Sequence, residues 1–167
     1  NESQAVGIDV GVLYHSYLSD GTYYKGNYSM ENSLKELRVL NRKLSRAKRG
    51  SNKRKKLVIK LQKLHTKISN QRKDFNHKLS TTITDKYSMV FIEDLKIANM
   101  VKLNSTLARR MLDNGFYSFR LYLNYKCKLK GKHFDAVPPH YTSQTCLSCG
   151  TVDKESRKSQ SLFECTN

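Results

Sequence analysis

Apolar residues recur along this chain in two rhythms, one of strands and one of helices. Near the start, Ala5, Val6, Ile8 and Val10 surround a single carboxylate, Asp9, with Gly7 and Gly11 two residues to either side. That run predicts a buried strand that can be approached closely and presents one acid near its edge. Val12 to Ser19 is rich in Tyr, Leu and Val, Ser19-Asp20-Gly21 marks a turn, and Thr22 to Tyr28 resumes with Tyr23, Tyr24 and Tyr28. Aromatic and β-branched runs broken by Asp-Gly signal a hairpin, so three antiparallel strands are expected in succession.

From Met30 the period changes. Leu34, Leu37, Leu40 and Leu44 recur at helical spacing, with Ser29 or Asn32 as N-cap. After Gly50-Ser51-Asn52, a second series runs through Leu57, Leu61, Leu64, Ile68, Phe75, Leu79 and Ile83. It predicts a helix about 40 Å long, paired with the first in an antiparallel hairpin with a coiled-coil-like seam. Strand character returns at Met89 to Leu95, MVFIEDL, where Met89, Val90, Phe91 and Ile92 do not alternate with polar residues and so predict a central strand buried on both faces. Leu107, Met111, Phe116, Phe119, Leu123 and Cys127 trace a further helix interrupted near Asp113-Asn114-Gly115. Cys127 lies on its apolar stripe and reads as a core residue. Gly131 closes that helix, and His133 to Val137 forms a last strand before Pro138-Pro139. A mixed sheet flanked by helices results.

Charge changes the picture of the hairpin. Lys and Arg number 31 against 14 Asp and Glu, a net charge of +17. An excess of this size points to a polyanion, either nucleic acid or an anionic membrane surface. No apolar run approaches the roughly 20 residues of a membrane span, and no signal-peptide pattern opens the chain. Between Leu37 and Lys73 there is no acid, while fifteen residues are basic. Arg42, Lys43, Arg46, Lys48, Arg49, Lys53, Arg54, Lys55, Lys56 and Lys60 crowd around the turn. Like charges at this density repel one another until an anion covers them, which favours nucleic acid over a merely solubilising face.

Two places carry chemistry. Asp9 and Glu93 sit in the strand-like runs, and on neighbouring strands they would face one site. Paired acids there are costly without a cation between them, and a divalent metal is the usual answer. Oxygen ligands suit Mg²⁺ or Mn²⁺. Near the end, TSQTCLSCG holds Cys146 and Cys149 at C-x-x-C spacing, and Cys165 follows after fifteen intervening residues. This spacing matches a Zn²⁺ ribbon, lacking a fourth ligand for which His140 is a weaker substitute. A redox C-x-x-C remains open, without the βαβ context it usually has. Four cysteines in this pattern suit a reducing, cytoplasmic compartment better than a disulfide framework.

The ordered set GIDVG, NQRKDFNHKLS, FIEDL and TSQTCLSCG resembles the TnpB (OrfB) proteins of bacterial and archaeal insertion sequences, from Gly7 to Cys165. The resemblance implies an α/β, RuvC-like, ribonuclease-H-type fold, a zinc ribbon, and kinship to the type V CRISPR effectors. It also implies DNA cleavage directed by a transposon-derived guide RNA in a prokaryotic cytoplasm, in a family long labelled as transposases. Asp9 and Glu93 match the first two catalytic acids, and Cys146, Cys149 and Cys165 match three of four zinc ligands. Residues 1–139 would form the nuclease core, with the hairpin inserted at 31–85, and 140–167 a truncated ribbon. The family's N-terminal RNA- and DNA-binding region and its third catalytic aspartate have no match here, so an inactive fragment is expected. Asp94, Asp113 and Asp135 have no motif support for that third role. A catalytically dead nucleic-acid-binding regulator, or a basic structural protein of a ribonucleoprotein particle, would leave the two acids idle.

Overall fold

The computed structural model describes residues 4–95, 105–138, 144–158 and 162–167. Among them, strands β1 (Ala5–Val10), β2 (Ser16–Leu18), β3 (Tyr23–Tyr24), β4 (Met89–Glu93) and β5 (His133–Val137) form one sheet in the order β3-β2-β1-β4-β5. The helices are α1 (Ser29–Arg46), α2 (Asn52–Lys86), α3 (Ser105–Asn114) and α4 (Phe116–Leu129). β1 runs antiparallel to β2 and parallel to β4, and β4 runs parallel to β5, so the sheet is mixed. The expected meander is present, with β2 and β3 much shorter than their aromatic runs. Its turn is the expected one: Thr22 N–H donates to Asp20 Oδ1, and Gly21 takes a φ of 84° that its missing Cβ permits.

One sheet face is buried. Val6, Ile8, Val10, Leu18, Val90 and Ile92 pack with Leu79 and Ile83 of α2 and with Phe119, Leu123 and Cys127 of α4. Cys127 is the core residue its stripe predicts, and burial pushes its thiol up. The continuous apolar run of β4 predicts burial on both faces, and here the structure differs: Met89, Phe91 and Glu93 are only half-buried. The described helices cover a single face, which leaves the other for Gly7, Asp9, Tyr17, Phe91 and Glu93.

α2 joins two cores. At 35 residues it is about 52 Å long, exceeding its apolar series because polar residues extend it at both ends. Ser51 caps it by accepting from the Arg54 N–H. Its first half packs Leu64 and Ile68 against Leu37 of α1, the predicted seam, while its second half enters the main core. The N-cap of α1 is Tyr28, in a left-handed conformation without a side-chain cap, and neither Ser29 nor Asn32 fills that place. Instead Asp113 accepts from the Met30 N–H at 2.9 Å and pairs with Arg72 of α2 at 3.4 Å. The acid that caps α1 thus comes from the end of α3.

Between β1 and β2, His15 is fully buried among Phe75, Phe116 and Phe119, with ring centroids 4.8–5.3 Å away. Its Nε2–H donates to the Asn114 carbonyl, which also accepts from Asn76 of α2, while the Asn114 amide donates to the Gly11 carbonyl. Burial lowers the His15 pKa from 6.5 to about 4, against the opposing pull of Asn114 and Asn76. Because the folded value lies below the unfolded one, the unfolded chain takes up the proton first as pH falls. Stability is therefore expected to drop by on the order of 3 kcal/mol between pH 6.5 and 4 from this group alone. Urea unfolding across that window measures it: His15→Phe should remove this part of the slope, and an unchanged slope would contradict the assignment.

Candidate functional site

Asp9 lies one residue from the end of β1, and Glu93 ends β4. Ile8 pairs with Ile92, so the next step along two parallel strands sets Asp9 beside Glu93. Alternation turns both onto the face of Gly7 and Phe91, on strands about 4.8 Å apart. With Tyr17, Phe91 and Val137 they line one cleft, which Leu147 of the cysteine segment also borders. Burial pushes the Asp9 carboxyl up, and the Arg157 charge and the Val10 N–H pull it back. A carboxylate whose burial disfavours its negative charge, with a second carboxylate on the neighbouring strand, fits a divalent cation, whose charge would relieve that cost.

Asp94 and Asp113 are engaged elsewhere. Asp94 pairs with Arg120 of α4, and Asp113 caps α1. Asp135 of β5 pairs in register with Phe91, which places it on the open face but one pleat below Glu93.

The cysteine segment brings Cys146, Cys149 and Cys165 together, their sulfurs all within 4.8 Å of one another. The knuckle closes through Gly150 N–H to Cys146 O and Cys146 N–H to Thr151 O, with Gly150 at a φ of 72°. Leu147, Val152, Leu162 and Phe163 are exposed, so these residues bury little apolar surface to hold the segment together. Three converging thiols in a segment with so small a core can hold a metal ion, and metal binding would then contribute to its folding. Hydrogen bonding with the Thr151 side chain and backbone, and with the adjacent thiols, brings the Cys149 thiol down to about 6. His140 lies outside the described residues.

Around the hairpin turn, Arg42, Lys43, Arg46, Lys48, Arg49, Lys53, Lys55, Lys56 and Lys60 are exposed. Arg54 is turned inward instead: its Nη1 donates to Leu44 O at 2.7 Å and Ala47 O at 3.5 Å, closing the C-terminus of α1. Two residues at the cleft escape the sequence reading. Arg157 of the cysteine segment acts on Asp9 through its charge, and no sequence pattern announces that interaction. Tyr17 pairs with Asp9 across β1 and β2, which the Asp-Gly turn and strand alternation together could have revealed.

Residues 1–104 match the family OrfB_IS605, described as "Probable transposase", and residues 116–167 match the "Cas12f1-like, TNB domain". The chain is 41% identical to "Putative RNA-guided DNA endonuclease InsQ" of Escherichia coli (strain K12), over 96% of the chain and 43% of that protein. It is 36% identical to a "Putative RNA-guided DNA endonuclease" of Streptomyces pristinaespiralis, over 89% of the chain and 37% of that protein. The chain thus spans about two fifths of the length of these relatives. A solved structure, "Cryo-EM structure of the Cas12f1-sgRNA-target DNA complex", superposes with a TM-score of 0.59 at 21% identity, over 92% of this chain and 40% of that one. That likeness establishes the fold, a RuvC-like mixed α/β sheet. Among the described residues, no helix is long and apolar enough to cross a membrane.

The thiol geometry makes a prediction for the metal-free protein at pH 7. Cys149 should be alkylated by iodoacetamide first, and the buried Cys127 last. Added Zn²⁺ should protect Cys146, Cys149 and Cys165 together. Peptide mapping of the adducts checks both, and Cys149 reacting no faster than Cys127 would contradict the geometry.

Proposed function

Starting from the OrfB_IS605 transposase family, to which this chain belongs, we propose that it is part of a transposon-encoded, RNA-guided, metal-dependent DNA endonuclease. The observation that carries this reading is the parallel β1–β4 register, which sets two acids 84 positions apart side by side on the open face of two interior strands. Asp9 and Glu93 would hold Mg²⁺ or Mn²⁺. Bound there, the metal would supply an activated water and charge stabilisation for an in-line displacement at phosphorus. Asp9 and Glu93 orient that site from rigid strands, and Arg157 adds positive charge beside it for a phosphate.

The partners in this reading are target DNA and a guide RNA, in the cytoplasm of a prokaryote. Residues 1–139 form the nuclease core, with the hairpin at 31–85 as a phosphate-binding arm. Residues 140–167 form a ribbon in which Cys146, Cys149 and Cys165 bind Zn²⁺. The resemblance implies three catalytic acids, and Asp9 and Glu93 supply two. The chain by itself therefore binds nucleic acid without cutting it.

Cleavage is tested in a protein of the relatives' full length, supplied with guide RNA and target DNA. It should require Mg²⁺ or Mn²⁺, and Asp9→Ala or Glu93→Ala should abolish it while leaving binding intact; parental cleavage by either variant sinks the assignment. The hairpin is tested by salt. If it neutralises about six phosphates, log K against log salt should slope near −5 on duplex DNA. Replacing Arg49, Lys53, Lys55 and Lys56 by Gln should flatten the slope by about 0.9 for each residue that contacts a phosphate. A slope that does not move would mean that another surface binds the duplex.

A further inference from the structure

Strand alternation puts Tyr17 and Tyr23 on the open face of the sheet. Tyr17 stands opposite Asp9 on one side and opposite Tyr23 on the other. The Tyr17 and Tyr23 rings are parallel to within 5°, with centroids 6.3 Å apart, and Tyr14 supports Tyr23 from 4.6 Å at a tilt of 57°. Even with these contacts the rings remain 40–50% exposed, whereas Phe119 on the core face is fully buried. Tyr17 lines the same cleft as Asp9 and Glu93.

We propose that Tyr17 and Tyr23, supported by Tyr14, form a base-stacking platform that seats an unpaired nucleic-acid strand beside the Asp9–Glu93 edge. The proposal rests on the nuclease reading and adds to it the residues that receive the bases. Packing into the core does not explain the rings, because they lie on the face that the described helices leave open. In a duplex, base faces are hidden in the stack, so half-exposed rings on a sheet can engage only bases that have left it. Successive bases of an unpaired strand can lie parallel to one another, and rings sharing one orientation can meet two of them. Aromatic faces accept any base, so the platform would hold a strand without reading its sequence. Charge agrees with the choice of occupant: the chain carries +17, and Arg157 brings a positive charge to Asp9 at the neighbouring strand. A strand lying across Tyr23 and Tyr17 is led directly to the two carboxylates.

The test compares a fluorescent single-stranded 20-mer with the duplex of the same sequence. Both are titrated with the 167-residue chain without added Mg²⁺ or Mn²⁺, as wild type, as Tyr17→Ala with Tyr23→Ala, and as Tyr17→Phe with Tyr23→Phe. The alanine pair should weaken single-strand binding by roughly 10- to 100-fold, leave duplex binding unchanged, and regain single-strand affinity in the phenylalanine pair. Equal single-strand affinity in the alanine pair overturns the platform. So does a changed oligomeric state in sedimentation with unchanged strand affinity, which would make this face an interface between two copies of the chain. Wild-type protein that binds neither ligand would instead defeat the nucleic-acid reading itself. Should the alanine pair fail to fold, 2-aminopurine in the strand decides with wild type alone. Its emission should be quenched on binding at some position along the strand, and the absence of quenching at every position overturns the proposal.

Discussion

Parallel pairing of β1 with β4 is the constraint on which the remaining architecture depends. A parallel pair cannot be closed by a tight turn, so the chain must leave the sheet and return in the same direction. It does so through the β2–β3 hairpin and the two helices α1 and α2, from Val10 to Met89. That excursion creates the basic hairpin, and the return creates the Asp9–Glu93 edge. One topological requirement therefore produces both the charged arm and the paired acids. β5 extends the parallel set on the far side of β4, leaving Glu93 on an interior strand.

α2 ties the two products together. It is one uninterrupted helix whose far half carries the arm and whose near half lies in the core, so the arm is held at a fixed direction from the sheet. Polar contacts fasten the near half. Lys126 of α4 donates to Ser80 Oγ at 2.8 Å and to Thr81 Oγ1 at 2.6 Å, placing a buried ammonium among neutral oxygens. Asn76 joins α2 to Asn114, and Asn114 in turn holds Gly11 two residues beyond Asp9. A continuous set of contacts thus runs from the arm's helix to the end of the acid-bearing strand.

Much of this was legible because short-range pattern and long-range structure agree. Asp9 and Glu93 were visible as acids set in apolar runs, Cys146 and Cys149 through their spacing, and the hairpin through its 3-4 period and single-sign charge. The features that were not legible share one cause: a partner distant in sequence decides them. Tyr28 caps α1 because Asp113 arrives from α3 to take the Met30 N–H. Arg54 looks like its basic neighbours until α1 presents its terminal carbonyls. His15 falls within a run that reads as strand, and only the packing of α2 and α4 encloses it. The open face of β4 was misread for a related reason, since an apolar run does not say which of its faces will be covered.

The nuclease reading stands or falls on whether Asp9 and Glu93 hold one divalent metal ion between them. Amide NMR of the 167-residue chain during titration with Mn²⁺ tests it most directly, because paramagnetic broadening falls off steeply with distance from the ion. Gly7 to Val10 and Phe91 to Asp94 should broaden together at substoichiometric Mn²⁺, and both effects should vanish in Asp9→Asn and in Glu93→Gln. Broadening of only one strand, or broadening of both that survives either substitution, would contradict it.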